Sequence, residues 1–178
     1  MRIAIVGGGP GGLYLAALMK SLDPSHEITV WERNAPDDTF GFGVVFSDET
    51  LGSIEGADTV VHDEMERLFA RWTDIDVELD GHSFTVGGQG FAAMSRKDLL
   101  RVLQQRALEL DVTVHYRTDA PDVDELSAAY DLVVASDGLN SQVRTRRQEA
   151  FRPTLDRRAN KYIWFGTDLV FEAFQFFV

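Results

Sequence analysis

The sequence predicts an α/β protein: a three-layer domain around a parallel β-sheet, with an inserted β-hairpin, leading into the start of a mixed β-sheet. Three observations carry this. An apolar run, Ile3 to Val6, is followed by a glycine-rich turn, a helix-like segment and a second apolar run, all within the about thirty residues of one β–α–β crossover. Ile75, Val77 and Leu79 alternate with Asp74, Asp76 and Glu78, the period of a strand with one wet face. Leu99, Leu100, Leu103, Ala107 and Leu110 recur at helical spacing, and apolar runs follow at 113–116 and 131–135.

Each element has a local reason. Arg2 to Val6 is a buried strand because its core is unbroken Ile3-Ala4-Ile5-Val6. Gly7 to Gly12 is a turn, and Leu13 to Leu22 is a helix with Leu13, Ala16 and Ala17 on one face. Glu27 to Glu32 is the second strand, carrying Ile28, Val30 and Trp31. Residues 40–57 are glycine-punctuated and apolar, and Asp58 to Phe69 is a helix. Asp80-Gly81 is a two-residue hairpin turn, so His82 to Val86 returns beside residues 74–79. Ser95 to Leu110 is a helix opened by a capping box, Ser95 with Asp98. Thr113 to Tyr116 and Asp131 to Ala135 are strands, Ser141 to Ala150 is a short basic helix, and Tyr162 to Phe165 opens a new apolar strand. Trp31, Trp72 and Trp164 read as packing residues, and His62 and His82 as surface residues.

Composition narrows the chemistry. The chain has 178 residues, 44% of them hydrophobic, which is enough to bury a core. Its formal charge of −12 argues against nucleic acid and anionic membrane surfaces as partners. With no cysteine, disulfides, thiolate metal sites and cysteine nucleophiles are excluded, and the four scattered histidines predict no metal. No signal peptide and no apolar run of about 18 residues is visible, so the expected location is cytoplasmic. Residues 141–161 hold seven basic and two acidic side chains, a local excess that would attract phosphates or simply be solvated.

The glycine turn carries the first chemistry. Gly7-x-Gly9-x-x-Gly12 follows a strand and opens a helix, the context that gives this spacing its meaning. Gly7 permits the tight turn, Gly9 leaves room for a pyrophosphate, and Gly12 lets the helix approach the strand. The free N–H groups and dipole of the helix start then face the phosphates. Glu32 ends the second strand, where a carboxylate accepts from a ribose diol. Its charge would repel a 2′-phosphate, so the pattern favours FAD or NAD over NADP. The domain is therefore Rossmann-like.

Three segments together resemble the flavin-dependent aromatic hydroxylases of the p-hydroxybenzoate hydroxylase type. They are Gly7 to Gly12 with Glu32-Arg33, Ser95-Arg96-Lys97-Asp98-Leu99-Leu100, and Asp131 to Arg144 with its Asp137-Gly138 pair. Residues 40–51 and 160–167 look like a narrower branch, that of salicylyl-CoA 5-hydroxylase and 2-aminobenzoyl-CoA monooxygenase. The resemblance implies FAD as cofactor, bound by Gly7, Gly9, Pro10, Gly11, Gly12, Glu32, Arg33, Arg96, Asp137 and Gly138, with NADH or NADPH as co-substrate. It implies that Gly41, Phe42, Gly43 and Val44 line the flavin or the substrate. It implies hydroxylation of an aromatic ring, with O2, through a flavin C4a-hydroperoxide, on a small aromatic substrate such as a coenzyme A thioester. No catalytic side chain is expected, because the flavin carries the chemistry.

The same resemblance divides the chain into an FAD-binding domain, 1–158, whose residues 40–94 serve the substrate side, and the first strands of a substrate domain, 159–178. The family's third fingerprint, a Gly-Asp pair, is absent and is expected beyond Val178; the apolar end at 171–178 points the same way. Two other readings stay open: a tryptophan-derivative hydroxylase of pigment biosynthesis, and a nucleotide-binding module without catalysis, such as a truncated copy. Ring position, nicotinamide preference and oligomeric state are not legible in these residues.

Overall fold

The computed structural model describes residues 1–163 and 165–177, and also leaves aside the side chain of Gln89. The packing role expected of Trp164 lies outside the described residues. In chain order the elements are β1 (Arg2–Val6), α1 (Pro10–Leu22), β2 (Glu27–Glu32), β3 (Gly43–Ser47), α2 (Asp48–Ala57), α3 (Thr59–Glu66), β4 (Ala70–Leu79) and β5 (His82–Ser95). There follow α4 (Arg96–Glu109), β6 (Thr113–Tyr116), α5 (Val123–Ala129), β7 (Leu132–Ala135), α6 (Gln142–Arg146), α7 (Gln148–Phe151) and β8 (Phe174–Phe177). They form two compact units, residues 1–38 with 100–162 and residues 39–99 with 163–178, so the division falls inside α4.

The first unit holds a four-stranded sheet in the order β6-β2-β1-β7, parallel throughout. Ile3 and Ile5 pair with Ile28 and Val30, and these four are buried, as are Leu13, Ala16 and Ala17 of α1. Removing one such large side chain to Ala costs about 2–5 kcal/mol. The sheet grows outward from β1 through β2 to β6 and then returns to β7 on the other side of β1. Such a reversal opens a crevice beyond the carboxyl ends of the strands, where ligands of open α/β sheets bind. The expected α/β class and parallel sheet are thus present.

Helix α1 begins at Pro10, earlier than the Leu13 expected from apolar spacing. Proline at the first position supplies the helical φ and needs no N–H there, so two glycines are carried inside the helix. α5 went unread in sequence; its signal is Asp122, whose side chain accepts from the Asp124 N–H, and it buries Leu126. The basic helix expected over 141–150 is instead two short helices broken at Arg147, and the second ends at left-handed Arg152, φ 44°. Three arginines of the basic segment are paired locally: Arg146 with Asp122, Arg147 with Asp124 and Arg158 with Asp156.

The second unit holds a mixed sheet in the order β3-β5-β4-β8, with β8 parallel to β4 and the other pairs antiparallel. Asp80 and Gly81 both take positive φ, 49° and 77°, the requirement of the hairpin turn that was expected. β5 continues past Val86 to Ser95, because Phe91, Ala92 and Ala93 pair back to Trp72, Arg71 and Ala70 beyond a bulge in β4. One face gathers Ile75, Val77, Phe84, Val86, Phe174 and Phe176, which share registers. Phe174 stacks on Phe91 at 5.2 Å and lies 5.9 Å from Trp72, whose indole donates to the Phe171 carbonyl at 3.2 Å. Trp72 is thereby the packing residue expected.

Two expectations in this unit need correction. The strand expected to open at Tyr162 is not seen among the described residues there: Tyr162, Ile163 and Phe165 are exposed and outside any strand, and the next strand is Phe174–Phe177. A bare apolar run does not specify a strand, whereas Phe174 and Phe176, alternating about Gln175, find the open edge of β4. His62 is not freely exposed: its side chain is 15% accessible and lies 3.4 Å from both Asp63 and Glu66. Glu66 in turn pairs with Arg71.

Candidate functional site

The site is built where β1 ends. Gly7 donates its N–H to the Trp31 carbonyl at 2.9 Å and takes φ +108°, which reverses the chain into α1. A Cβ on Gly7 would stand 2.5 Å from the Ser136 carbonyl oxygen. A Cβ on Gly12 would collide with the Gly7 carbonyl and lie 2.6 Å from Ser136 Oγ, and one on Gly8 would lie 2.8 Å from Glu32 Cβ. At Gly9 and Gly11 the same test meets no atom within 4 Å. So Gly7, Gly8 and Gly12 are small because the protein crowds them, whereas Gly9 and Gly11 are small beside open space. Gly9 caps α1 without a side-chain hydrogen bond, which leaves the N–H groups of the first turn to a ligand or water.

Glu32 closes this turn from the side. Its Oε2 accepts from the Gly8 N–H at 2.8 Å, and its Oε1 accepts from both the backbone N–H and the Nδ2 of Asn34, at 2.8 and 2.7 Å. Arg33, next in chain, is exposed. Tyr116 on β6 pairs in register with Glu32. Burial, and then the Glu32 charge, push the Tyr116 phenol above its ordinary pKa. Trp31 is packed between the rings of His115 and Tyr130, at 5.9 and 5.7 Å, which fixes the end of β2.

From the far side of β1, the loop after β7 completes the wall. Ser136 donates its N–H to the Val6 carbonyl at 2.8 Å and its hydroxyl to the Gly7 carbonyl at 2.8 Å. Asp137 Oδ2 accepts from the N–H groups of Gln142 and Val143, at 2.7 and 3.3 Å, so this carboxylate caps α6. Gly138 takes φ +81°. The structure therefore brings Gly7, Gly9, Pro10, Gly11, Gly12, Glu32, Asp137 and Gly138 together in one unit, and it adds Ser136 and Asn34, which sequence reasoning did not single out. Ser136 had a signal in its place beside Asp137-Gly138; Asn34 had none.

Arg96 and residues 41–44 belong to the second unit. Arg96 starts α4, half-buried, and donates its N–H to the Phe42 carbonyl at 2.9 Å. Ser95 caps the helix as expected, with its partner Asp98 held through the side chains: the Asp98 N–H donates to Ser95 Oγ at 3.0 Å, and Ser95 Oγ donates to Asp98 Oδ2 at 2.6 Å. Gly41, φ +86°, and exposed Phe42 form a loop, whereas Gly43 and Val44 already belong to β3 and pair with Ser95 and Met94. Among the described residues no helix is long and apolar enough to cross a membrane.

Fold and site define an α/β protein with a Rossmann-like parallel sheet and a glycine turn after its first strand, and with a second, mixed sheet. The chain belongs to the lycopene cyclase protein family, whose model matches residues 2–163. It is 46% identical to a salicyloyl-CoA 5-hydroxylase of a Streptomyces species, over 99% of this chain and 34% of that protein. It is 34% identical to the 3-hydroxy-4-methyl-anthranilyl-[aryl-carrier protein] 5-monooxygenase of Streptosporangium sibiricum, over all of this chain and 50% of that one. The chain thus spans a third to a half of the length of these relatives. The solved structure of 2-methyl-3-hydroxypyridine-5-carboxylic acid oxygenase matches with a TM-score of 0.70 and 23% identity, over 81% of this chain and 41% of that one, and so shares the fold. The family model is described by a cyclase, while these two relatives are by name a hydroxylase and a monooxygenase, as the resemblance of the three segments implied.

Proposed function

We propose that the protein of which this chain forms part is an FAD-dependent monooxygenase that hydroxylates an aromatic ring carried as a thioester. The observation that supports it best is the glycine turn, crowded by protein at Gly7, Gly8 and Gly12 but open at Gly9 and Gly11 beside an uncapped helix start. The open space at Gly9 and Gly11 and the N–H groups of the first turn suit an FAD pyrophosphate. When bound, the flavin supplies activation of O2 with reducing equivalents from NAD(P)H. The N–H groups and dipole of α1 hold the pyrophosphate, Glu32 accepts from the ribose, and Asp137-Gly138 shapes the neighbouring wall. By the family resemblance, Arg33 and Arg96 supply positive charge for the phosphates. Gly41, Phe42, Gly43 and Val44 line the flavin or substrate, and their apolar surface excludes water, which protects oxygen transfer from side reactions.

The thioester half rests on kinship. One relative's name places its ring on coenzyme A and the other's on an aryl-carrier protein, two acyl thioesters with an aromatic acid at the end. Exposed Arg152, Arg157 and Lys161 offer positive charge for the carrier's phosphates. Residues 1–158 are the FAD-binding part, with 40–94 toward the substrate, and 159–178 open the substrate domain. The test uses the gene-encoded protein. It should purify yellow, and salicylyl-CoA or anthraniloyl-CoA should stimulate NADH or NADPH oxidation and consume O2. A colourless protein that takes up no flavin removes the cofactor assignment; stimulation by the free acids alone removes the thioester.

A further inference from the structure

We infer that Asn34 is a positioning residue: it clamps the Glu32 carboxylate so that Oε2 alone reads the adenosine ribose of the bound dinucleotide. The inference rests on the dinucleotide reading above. A carboxylate offers about four accepting directions, two on each oxygen. Asn34 fills both directions of Oε1, one with its backbone N–H at 2.8 Å and one with Nδ2 at 2.7 Å. The Gly8 N–H fills one direction of Oε2 at 2.8 Å. Among the described residues, one direction is left, on the oxygen that also touches the phosphate-binding turn.

The clamp is itself anchored. The Asn34 carbonyl accepts from the Arg117 N–H at 3.1 Å, and the Glu32 carbonyl accepts from the Thr118 N–H at 3.0 Å, so the end of β6 holds both residues. Gln104 Nε2 donates to the Pro36 carbonyl at 2.9 Å and pins the chain just beyond. With its backbone fixed on either side, the Asn34 amide has one place to go. Two donors on Oε1 stop the carboxylate from turning about its last torsion. Oε2 is then pre-organised, and the ribose hydroxyl gains a charge-assisted bond without reordering the protein. Releasing Oε1 would let either oxygen face Gly8 and would loosen ribose recognition while leaving the phosphate contacts intact.

The experiment measures binding of ADP and of 2′-deoxy-ADP to the gene-encoded protein freed of flavin, and to its Asn34→Ala and Asn34→Leu variants at neutral pH. Asn34→Leu keeps the side chain's bulk and adds no charge, so it removes the Nδ2 bond without emptying the space. The expected result is that the parent prefers ADP by about tenfold or more, the worth of one good hydrogen bond. In both variants ADP should weaken about tenfold, 2′-deoxy-ADP should weaken less, and the preference should fall below about threefold. A merely structural role would weaken both nucleotides equally and keep the ratio, which overturns the inference. A parent that does not distinguish the two nucleotides overturns it also, while leaving dinucleotide binding in place. A parent that binds neither ADP nor FAD ends the dinucleotide reading itself.

Discussion

The Cα of Gly12 faces the carbonyl oxygen of Gly7 so closely that no Cβ fits between them. This contact joins the first turn of α1 to the end of β1, and Ser136 Oγ closes the third side. It explains why a helix can start so near the strand that its N–H groups point into the crevice beyond the sheet. Gly12→Ala should therefore destabilise the fold by about 3 kcal/mol, the upper range for overpacking a tight site, because backbone rather than a mobile side chain must yield. Chemical denaturation in the absence of cofactor checks this; an unchanged midpoint would refute the packing role.

Gly11→Ala should act in the opposite sense. Gly11 lies inside α1, a methyl added there would meet no atom within 4 Å, and alanine is the better helix former by about 1 kcal/mol. The cofactor-free protein should thus gain up to about 1 kcal/mol in stability while its flavin affinity falls, since the methyl enters the opening. Gly9→Val should lose flavin and stay folded for the same reason. Thermal melting paired with flavin content reads both effects. If Gly11→Ala gains stability and keeps full flavin affinity, the opening beside α1 is not where the pyrophosphate binds.

What the sequence showed and what it hid follow from how local each signal is. The glycine turn, Glu32 and the capping box at Ser95 are short-range patterns, and each is made by residues within one turn or one crossover. β3 and α2 were read only as a glycine-punctuated stretch, although Ser47 caps α2 by accepting from the Thr50 N–H at 3.3 Å. The glycines at 41 and 43 masked a strand that exists because the distant β5 pairs with it, and those at 52 and 56 masked the helix after it. Asn34 escaped for a related reason: its amide matters only because Glu32 lies beside Gly8, 24 residues away. The Tyr162–Phe165 run misled because apolar content without a pairing edge does not make a strand.

Asp137 should prove more a structural acid than a ligand contact. Its Oδ2 accepts two N–H groups at the start of α6, while Ser141 Oγ accepts the Arg144 N–H at 2.9 Å. Asp137→Ala should cost about 1 kcal/mol through the lost cap, and it should raise amide exchange at Gln142 and Val143 first. Asp137→Asn keeps an acceptor and should recover most of that loss. If Asn is as damaging as Ala to stability, the carboxylate does something other than cap.

Tyr116 gives the fold a pH dependence on the alkaline side. Burial is the larger cause of its raised pKa and the Glu32 charge the smaller, and both disfavour the phenolate only when the chain is folded. In the unfolded chain the phenol ionises at its ordinary value of 10.0. Below that pH the stabilising contribution is complete. As pH rises past it the unfolded state releases its proton first, so stability falls until the folded-state pKa is passed. Tyr116→Phe should flatten the decline in melting temperature between about pH 9 and pH 11, since no phenol remains to titrate there. Glu32→Gln should flatten it less, because it removes only the smaller cause. Equal slopes in the parent and Tyr116→Phe would show that the phenol titrates alike in both states, and would separate Tyr116 electrostatically from Glu32.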